Sequence, residues 1–262
     1  MRHSRGHDRG TAELRAARIR IQELEAEVSR LGELLAQSTR THELACRAGS
    51  GELLISAAGD GEGTAPIAAS GRTEVVAALA QALEERDRYT GEHSASVVNL
   101  AARVAEALAL DADEVRRIRT AALLHDIGKV GIPDRILYKP GPLDDREWEI
   151  MRQHPAIGER ILRAIPGMGV IARVVRHEHE RWDGDGYPDK LAGEQIPIAA
   201  RIILACDAYQ AMVSDRPYRK AMPDQAALAE LTLNSGAQFD PKVVDALVGY
   251  LYGRRQSGLA TV

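Results

Sequence analysis

Five places along the 262-residue chain carry side chains suited to holding a metal ion: His93, the pair His125-Asp126, His154, the run His177-Glu178-His179, and Asp207. The steps from His93 to His125, His154, His179 and Asp207 are 32, 29, 25 and 28 residues, each about the length of one helix out and back. In a helical bundle such spacing returns successive ligands to one level, so that several helices contribute one or two inward groups to a shared centre. Imidazole nitrogen mixed with carboxylate oxygen suits first-row metals, with Fe and Mn ahead of a structural zinc. Two adjacent ions bridged by a carboxylate would use this many ligands. The contrary reading is that a single His in a helix is a satisfied polar or surface side chain, and His3, His7 and His42 are read that way. His125 differs because it ends the apolar run Ala121-Ala122-Leu123-Leu124, which predicts a buried His-Asp pair at a helix end. Burying an imidazole beside a carboxylate is costly without a cation or a full set of hydrogen bonds.

The elements that must position these groups read as helices. After Arg72 the chain runs in helix-length segments broken by Gly and Pro, at about 73–88, 92–109, 111–127, 144–164, 168–181, 198–213, 224–235 and 240–252. Asp111 and Asp224 suit N-caps, and Pro241 suits a first helical turn. No run of alternating β-branched residues demands a sheet, so the expected fold class is all-α, a helical bundle. Hydrophobic residues are 45% of the chain but aromatics only 4%, so the core must be Ala, Leu, Ile and Val packed closely.

Ahead of that bundle, Leu14, Ala17, Ile21, Leu24, Val28, Leu31 and Leu35 alternate steps of three and four with polar residues or Ala between them. That is the two-position seam of a coiled coil, and it predicts a homodimer through residues 11–48, with an amphipathic helix packed on its own domain as the alternative. Residues 49–71, rich in Gly, Ser and Ala, read as a flexible linker, and 1–10 and 256–262 as disordered ends around a catalytic domain at 72–255. The formal net charge of −4 gives no broad basic field, which argues against DNA or RNA as partner. Cys46 and Cys206 form no metal-binding or disulfide pattern. The charged N-terminus has no apolar block and no stretch reaches membrane-span length, so a cytoplasmic protein with no membrane partner is expected.

The strings HDIGKVGIP from His125, HPAIGERIL from His154, HERWDGDGYP from His179 and ACDAYQAMVSDRPYRKA from Ala205 resemble the HD-GYP family, a branch of the HD-domain phosphohydrolases. The likeness spans roughly residues 73 to 252, with its motifs in the family's order. It implies an HD-domain helical bundle, a centre of two or three metals, and hydrolysis of cyclic di-GMP to pGpG or GMP by a hydroxide held between the ions. By that resemblance His93, His125, Asp126 and Asp207 are first-metal ligands, Asp126 being the bridging carboxylate. His154 is a ligand of the second metal, and Glu178 and His179 stand in the run that completes it. Lys129 matches the lysine of the family's pocket, where it would stabilise transition-state charge or donate a proton, and Arg216 and Arg219 match positions that contact the ligand's phosphates or guanines. A solvated lysine and surface arginines are the bland readings of the same residues.

Two departures bear on activity. The family's usual string has two histidines before Glu-Arg-Trp, whereas this chain has Glu178-His179, so a carboxylate stands where a second-metal imidazole is expected. On a continued helix His177 would point about 100° away from that position. Tyr89 stands where three-metal members carry a glutamate, which implies two ions of Fe or Mn. The alternatives to a cyclic di-GMP phosphodiesterase are a receptor or adaptor that binds the ligand or a signalling protein without turnover, and an HD-domain hydrolase of another nucleotide.

Overall fold

The computed structural model describes residues 75–81, 83, 90–215 and 220–256. The expected coiled coil and linker, Tyr89, Arg216, Arg219 and most of the C-terminal tail lie outside the described residues. After helical residues at 75–81 come α1 (Thr90–Ala107), α2 (Ala112–Leu124), a 3-10 segment (His125–Gly131), α3 (Asp134–Leu137), α4 (Asp145–Met151), α5 (His154–Arg163), α6 (Gly169–Arg176), α7 (Ile198–Val213), α8 (Asp224–Leu233) and α9 (Pro241–Gln256). Among the described residues no strand forms beyond one isolated bridge, Ser235 to Phe239, so the all-α expectation stands.

The bundle is built around α7, which packs against α1, α2, α8 and α9, while α5 lies against α6 and the 3-10 segment. The core is aliphatic, as composition required. Ala101, Ala105, Ala121, Ala122, Ala200 and Ala205 are fully buried or nearly so. These small side chains let helix axes approach closely, while each buried Ile or Leu between them contributes about 1.5–3 kcal/mol. Asp111 caps α2 by accepting from the Glu114 amide at 2.8 Å, and Pro241 opens α9. Asp224 is not a cap. It is the first helical residue of α8, and Pro223 holds the cap position with no side-chain bond.

Three of the differences from the sequence reading serve the histidines. The expected helix 111–127 ends at Leu124 and tightens into 3-10 turns, where Gly128 meets the start of α5. A Cβ on Gly128 would fall on the His154 carbonyl oxygen and the Gly158 amide nitrogen, so only glycine permits that approach. The expected helix 144–164 is two helices broken at Arg152-Gln153. Pro155 explains the break, because it lacks an N–H and its ring would strike the carbonyl of Met151, four residues back. The expected helix 168–181 stops at Arg176, which leaves His177-Glu178-His179 in a turn.

Candidate metal centre

Helix ends aim the side chains of His125 and His154, while His93 and Asp207 project from within α1 and α7. Where α2 ends, Nδ1 of His125 lies 2.7 Å from the Ala122 carbonyl oxygen, and across the α4–α5 break Nδ1 of His154 lies 2.8 Å from that of Met151. A carbonyl oxygen only accepts, so each Nδ1 donates its proton and the neutral ring presents the lone pair on Nε2. Both Nε2 atoms face the carboxylate of Asp126. His125 Nε2 is 3.4 Å from its Oδ2, and His154 Nε2 is 3.7 Å from its Oδ1.

Two clusters of donors therefore lie on the two sides of one carboxylate. On the Oδ2 side, Asp207 from α7 places Oδ1 4.0 Å from His125 Nε2 and 2.9 Å from Nε2 of His93 on α1. On the Oδ1 side, His154 Nε2 is 3.1 Å from Nε2 of His179 and 3.4 Å from Oε1 of Glu178, and His179 Nε2 is 4.0 Å from that oxygen. The ligand atoms of His154, Glu178 and His179 all lie within 4.8 Å of one another. Lys129, from the 3-10 segment, donates from Nζ to Asp126 Oδ2 at 2.7 Å. All seven residues expected to hold metal, with Lys129, thus come together. His177 does not join them, because its Nε2 turns outward to Asp189 Oδ2 at 2.9 Å.

The electrostatics match the geometry. Burial pushes the Asp126 carboxyl up, but Lys129, His125 and His154 outweigh it and hold it well below the ordinary range. Burial opposes ionisation of Asp207 too, yet the His93 hydrogen bond and the nearby His125 bring it down to about 2. Burial depresses His154, and burial with the neighbouring His154 ring brings His179 down to about 3, so both imidazoles are neutral and able to ligate at pH 7. Glu178 is the exception. It is 1% exposed, neither carboxylate oxygen has a hydrogen-bond partner among the described residues, and burial followed by repulsion from Asp126 and Asp207 raises it well above the usual value. A buried carboxylate without partners, facing two imidazole nitrogens, is a donor set that a divalent cation would compensate, so the residues fit a metal.

The loop after His179 walls the centre. Glu180, also buried, accepts from the amides of Asp189 and Leu191 at 2.7 and 3.1 Å, which folds the chain back on itself. Arg176 clamps Asp189 with two bonds of 2.6 and 2.7 Å and reaches Glu159 on α5 at 2.8 Å. The amides of Trp182 and Asp183 donate to the Gln238 and Ala237 carbonyls, tying the loop to the α8–α9 connection. Gly186 passes so close to Arg181 and Glu180 backbone that a Cβ would collide with both. Tyr187 then stacks on His179, with ring centroids 5.0 Å apart and planes at 22°. Asp183 is held by Arg181 and accepts the Asp185 amide, which closes an internal turn.

Sequence reasoning missed the partners of this loop. Glu180, Asp189 and Arg176 are ordinary charges in a string of charges, and only the fold places them together. Pro155 was a readable signal, since a proline just after a helical His marks a helix start.

The model of the HD domain family matches residues 77–243. Over 185 residues the chain is 45% identical to the cyclic di-GMP phosphodiesterase response regulator RpfG of Xanthomonas campestris pv. campestris, covering 70% of this chain and 48% of that protein. It is 44% identical over 177 residues to a cyclic di-GMP phosphodiesterase of Thermotoga maritima, covering 67% and 48%. With the 3'3'-cGAMP-specific phosphodiesterase 2 of Vibrio cholerae it shares 41% identity over 177 residues, covering 67% and 34%. The matched part is thus half or less of each of these relatives. A solved structure of Bd1817, a HDG"Y"P protein from Bdellovibrio bacteriovorus, has the same fold, with a TM-score of 0.53 at 15% identity over 70% of this chain and 64% of that one.

Proposed function

The chain belongs to the HD domain family, and from that premise we propose that it is a metal-dependent phosphodiesterase that opens a cyclic dinucleotide, cyclic di-GMP first among them, to pGpG or GMP. The observation that carries this reading is the placement of six nitrogen and oxygen donor side chains on the two sides of a seventh, Asp126. His93, His125, Asp126 and Asp207 would hold one divalent ion, and Asp126, His154, Glu178 and His179 a second, with Fe or Mn best suited to the mixed donors. Such ions, when bound, acidify water and offset phosphate charge.

The chain's own residues supply orientation and charge. The Ala122 and Met151 carbonyls fix the His125 and His154 tautomers. Hydrolysis forms one P–O bond from water and breaks the P–O bond to a ribose 3′ oxygen, which must gain a proton. Lys129, against Asp126 at the edge of the centre, would stabilise the charge that develops and deliver that proton. Arg216 and Arg219 are proposed contacts to the ligand's phosphates or guanines, Tyr89 is proposed to limit the centre to two ions, and residues 11–48 are proposed to join two copies. Among the described residues no helix is long and apolar enough to cross a membrane.

One observation favours a second reading. Glu178 adds a carboxylate to a cluster that already holds Asp126 and Asp207, and a centre so altered would serve a receptor that binds the ligand without turning it over. The relatives' names divide between cyclic di-GMP and 3'3'-cGAMP, so the second base is part of the question. Full-length protein loaded anaerobically with Fe or Mn and incubated with cyclic di-GMP, 3'3'-cGAMP and a mononucleotide diester tests all three. Linear products from cyclic di-GMP support the enzyme; binding without products across both metals replaces it with the receptor; turnover only of another nucleotide replaces the substrate.

A further inference from the structure

α4 is a seven-residue helix with no buried residue, so nothing in the core accounts for the side chain it carries at Trp148, 44% exposed. A lone exposed aromatic is ordinary. Trp148 is not alone. Four residues on, in the helix break, the guanidinium of Arg152 stands 5.8 Å from the centroid of the Trp148 ring and 5.6 Å from that of Tyr187. Tyr187 stacks in turn on His179 at the centre. A continuous file of flat groups therefore leads from the ligand cluster out to a solvent-facing indole.

The file is held in place rather than loosely draped. Asp144 and Glu147 close a capping box at the start of α4, and Lys139 donates to the same Glu147 carboxylate. Among the described residues the Arg152 guanidinium meets two aromatic rings and no carboxylate, while its backbone N–H is hydrogen-bonded to the Trp148 and Ile150 carbonyls. A guanidinium that stacks uses its face and leaves its in-plane N–H donors open, which is the arrangement that takes up a phosphate or a purine edge.

We propose that Trp148 and Arg152 form an outer subsite for the substrate, Trp148 stacking on one purine base and Arg152 contacting the phosphate that is not being cleaved. This rests on the cyclic dinucleotide reading above and extends it. A cyclic dinucleotide carries a second phosphate and two bases a ribose away from the reacting phosphorus, and the file would offer them a platform. A small diester lacking bases and a second phosphate has nothing to place there. The subsite therefore favours cyclic dinucleotides over simple diesters.

The test measures kcat and KM of the metal-loaded full chain on cyclic di-GMP and on bis(p-nitrophenyl) phosphate, for wild type, Trp148→Ala, Trp148→Phe, Arg152→Ala and Arg152→Lys. In both alanine variants the ratio of the two kcat/KM values is expected to fall about tenfold, mainly through KM for cyclic di-GMP. Trp148→Phe is expected to recover most of the loss, because the ring remains, and Arg152→Lys only part of it. A change below threefold in both alanine variants overturns the subsite while leaving the phosphodiesterase reading intact. If the wild type binds cyclic di-GMP without turnover, the same variants are compared by calorimetric affinity with the same threshold. A wild type that neither binds nor cleaves a cyclic dinucleotide overturns the reading and the subsite together.

Discussion

Oε1 of Glu178 lies 3.4 Å from Nε2 of His154, and neither oxygen of that carboxylate is hydrogen-bonded among the described residues. In metal-free protein the folded state therefore holds a proton on Glu178 that the unfolded chain releases near pH 4.3. Between the unfolded value and the raised folded one, the folded state binds more protons, so this group's contribution to stability falls as pH rises. Glu178→Gln removes that dependence and is expected to raise the metal-free Tm by about 2 to 4 °C at pH 8, for a gain of about 1 kcal/mol. In metal-loaded protein the same change is expected to lower Tm and to halve bound metal. Scanning calorimetry and metal analysis of both forms check the opposite signs; a lower Tm in both forms would mean Glu178 is simply a structural acid.

Asp126 and Asp207 act in the other direction. Both are held below the ordinary carboxylate range, so their contribution to stability is present above pH ~4 and is lost as pH falls towards their folded values. Metal-free Asp207→Asn is expected to show a shallower acid limb than wild type between pH ~4 and ~2, read by circular dichroism.

His125→Ala and Asp126→Ala are each expected to lose bound metal and to reduce turnover at least ~100-fold, with the helical signal largely retained. Each side chain is a donor at the centre, while the core around it is aliphatic and independent of metal. Full activity in a variant shown to lack metal would remove these residues from the chemistry.

Gly128→Ala places a Cβ on the His154 carbonyl and the Gly158 amide, both backbone, so the α5 start must move. A loss of about 1–3 kcal/mol in denaturant unfolding is expected. Weakened metal binding should accompany it, because the shifted carbonyl belongs to a ligand residue.

Cys206 is fully buried beside Asp207, and burial drives its thiol far above the ordinary range. Native protein is expected to resist a thiol reagent at Cys206 and to react there once denatured. Peptide mapping of the labelled chain locates the site, and rapid native labelling at Cys206 would mean that α7 opens.

The ligand set was legible because its chemistry is written in residue types: His and Asp at helix-length intervals, which the fold brings together, His93 to Asp207 at 2.9 Å, His125 to Asp207 at 4.0 Å and His154 to Asp126 at 3.7 Å. What periodicity hid was where helices stop. Residues 144–164 keep an apolar rhythm through the break at Arg152, and only Pro155 signals it. The turn at His177-Glu178-His179 was hidden for a related reason, since it is Asp189, twelve residues further on, that draws His177 outward and leaves Glu178 and His179 facing in. The file through Trp148 and Arg152 had no signal at all, because it joins a helix end to a distant loop.

His125 and His154 are both aimed by main-chain oxygens released where helices terminate. An amino-acid replacement can delete a side-chain acceptor, but none can delete a peptide carbonyl. Genetic drift among the neighbours therefore leaves these two imidazoles pointing where they point. Disorienting them would take a change that extends one helix or reseats the other.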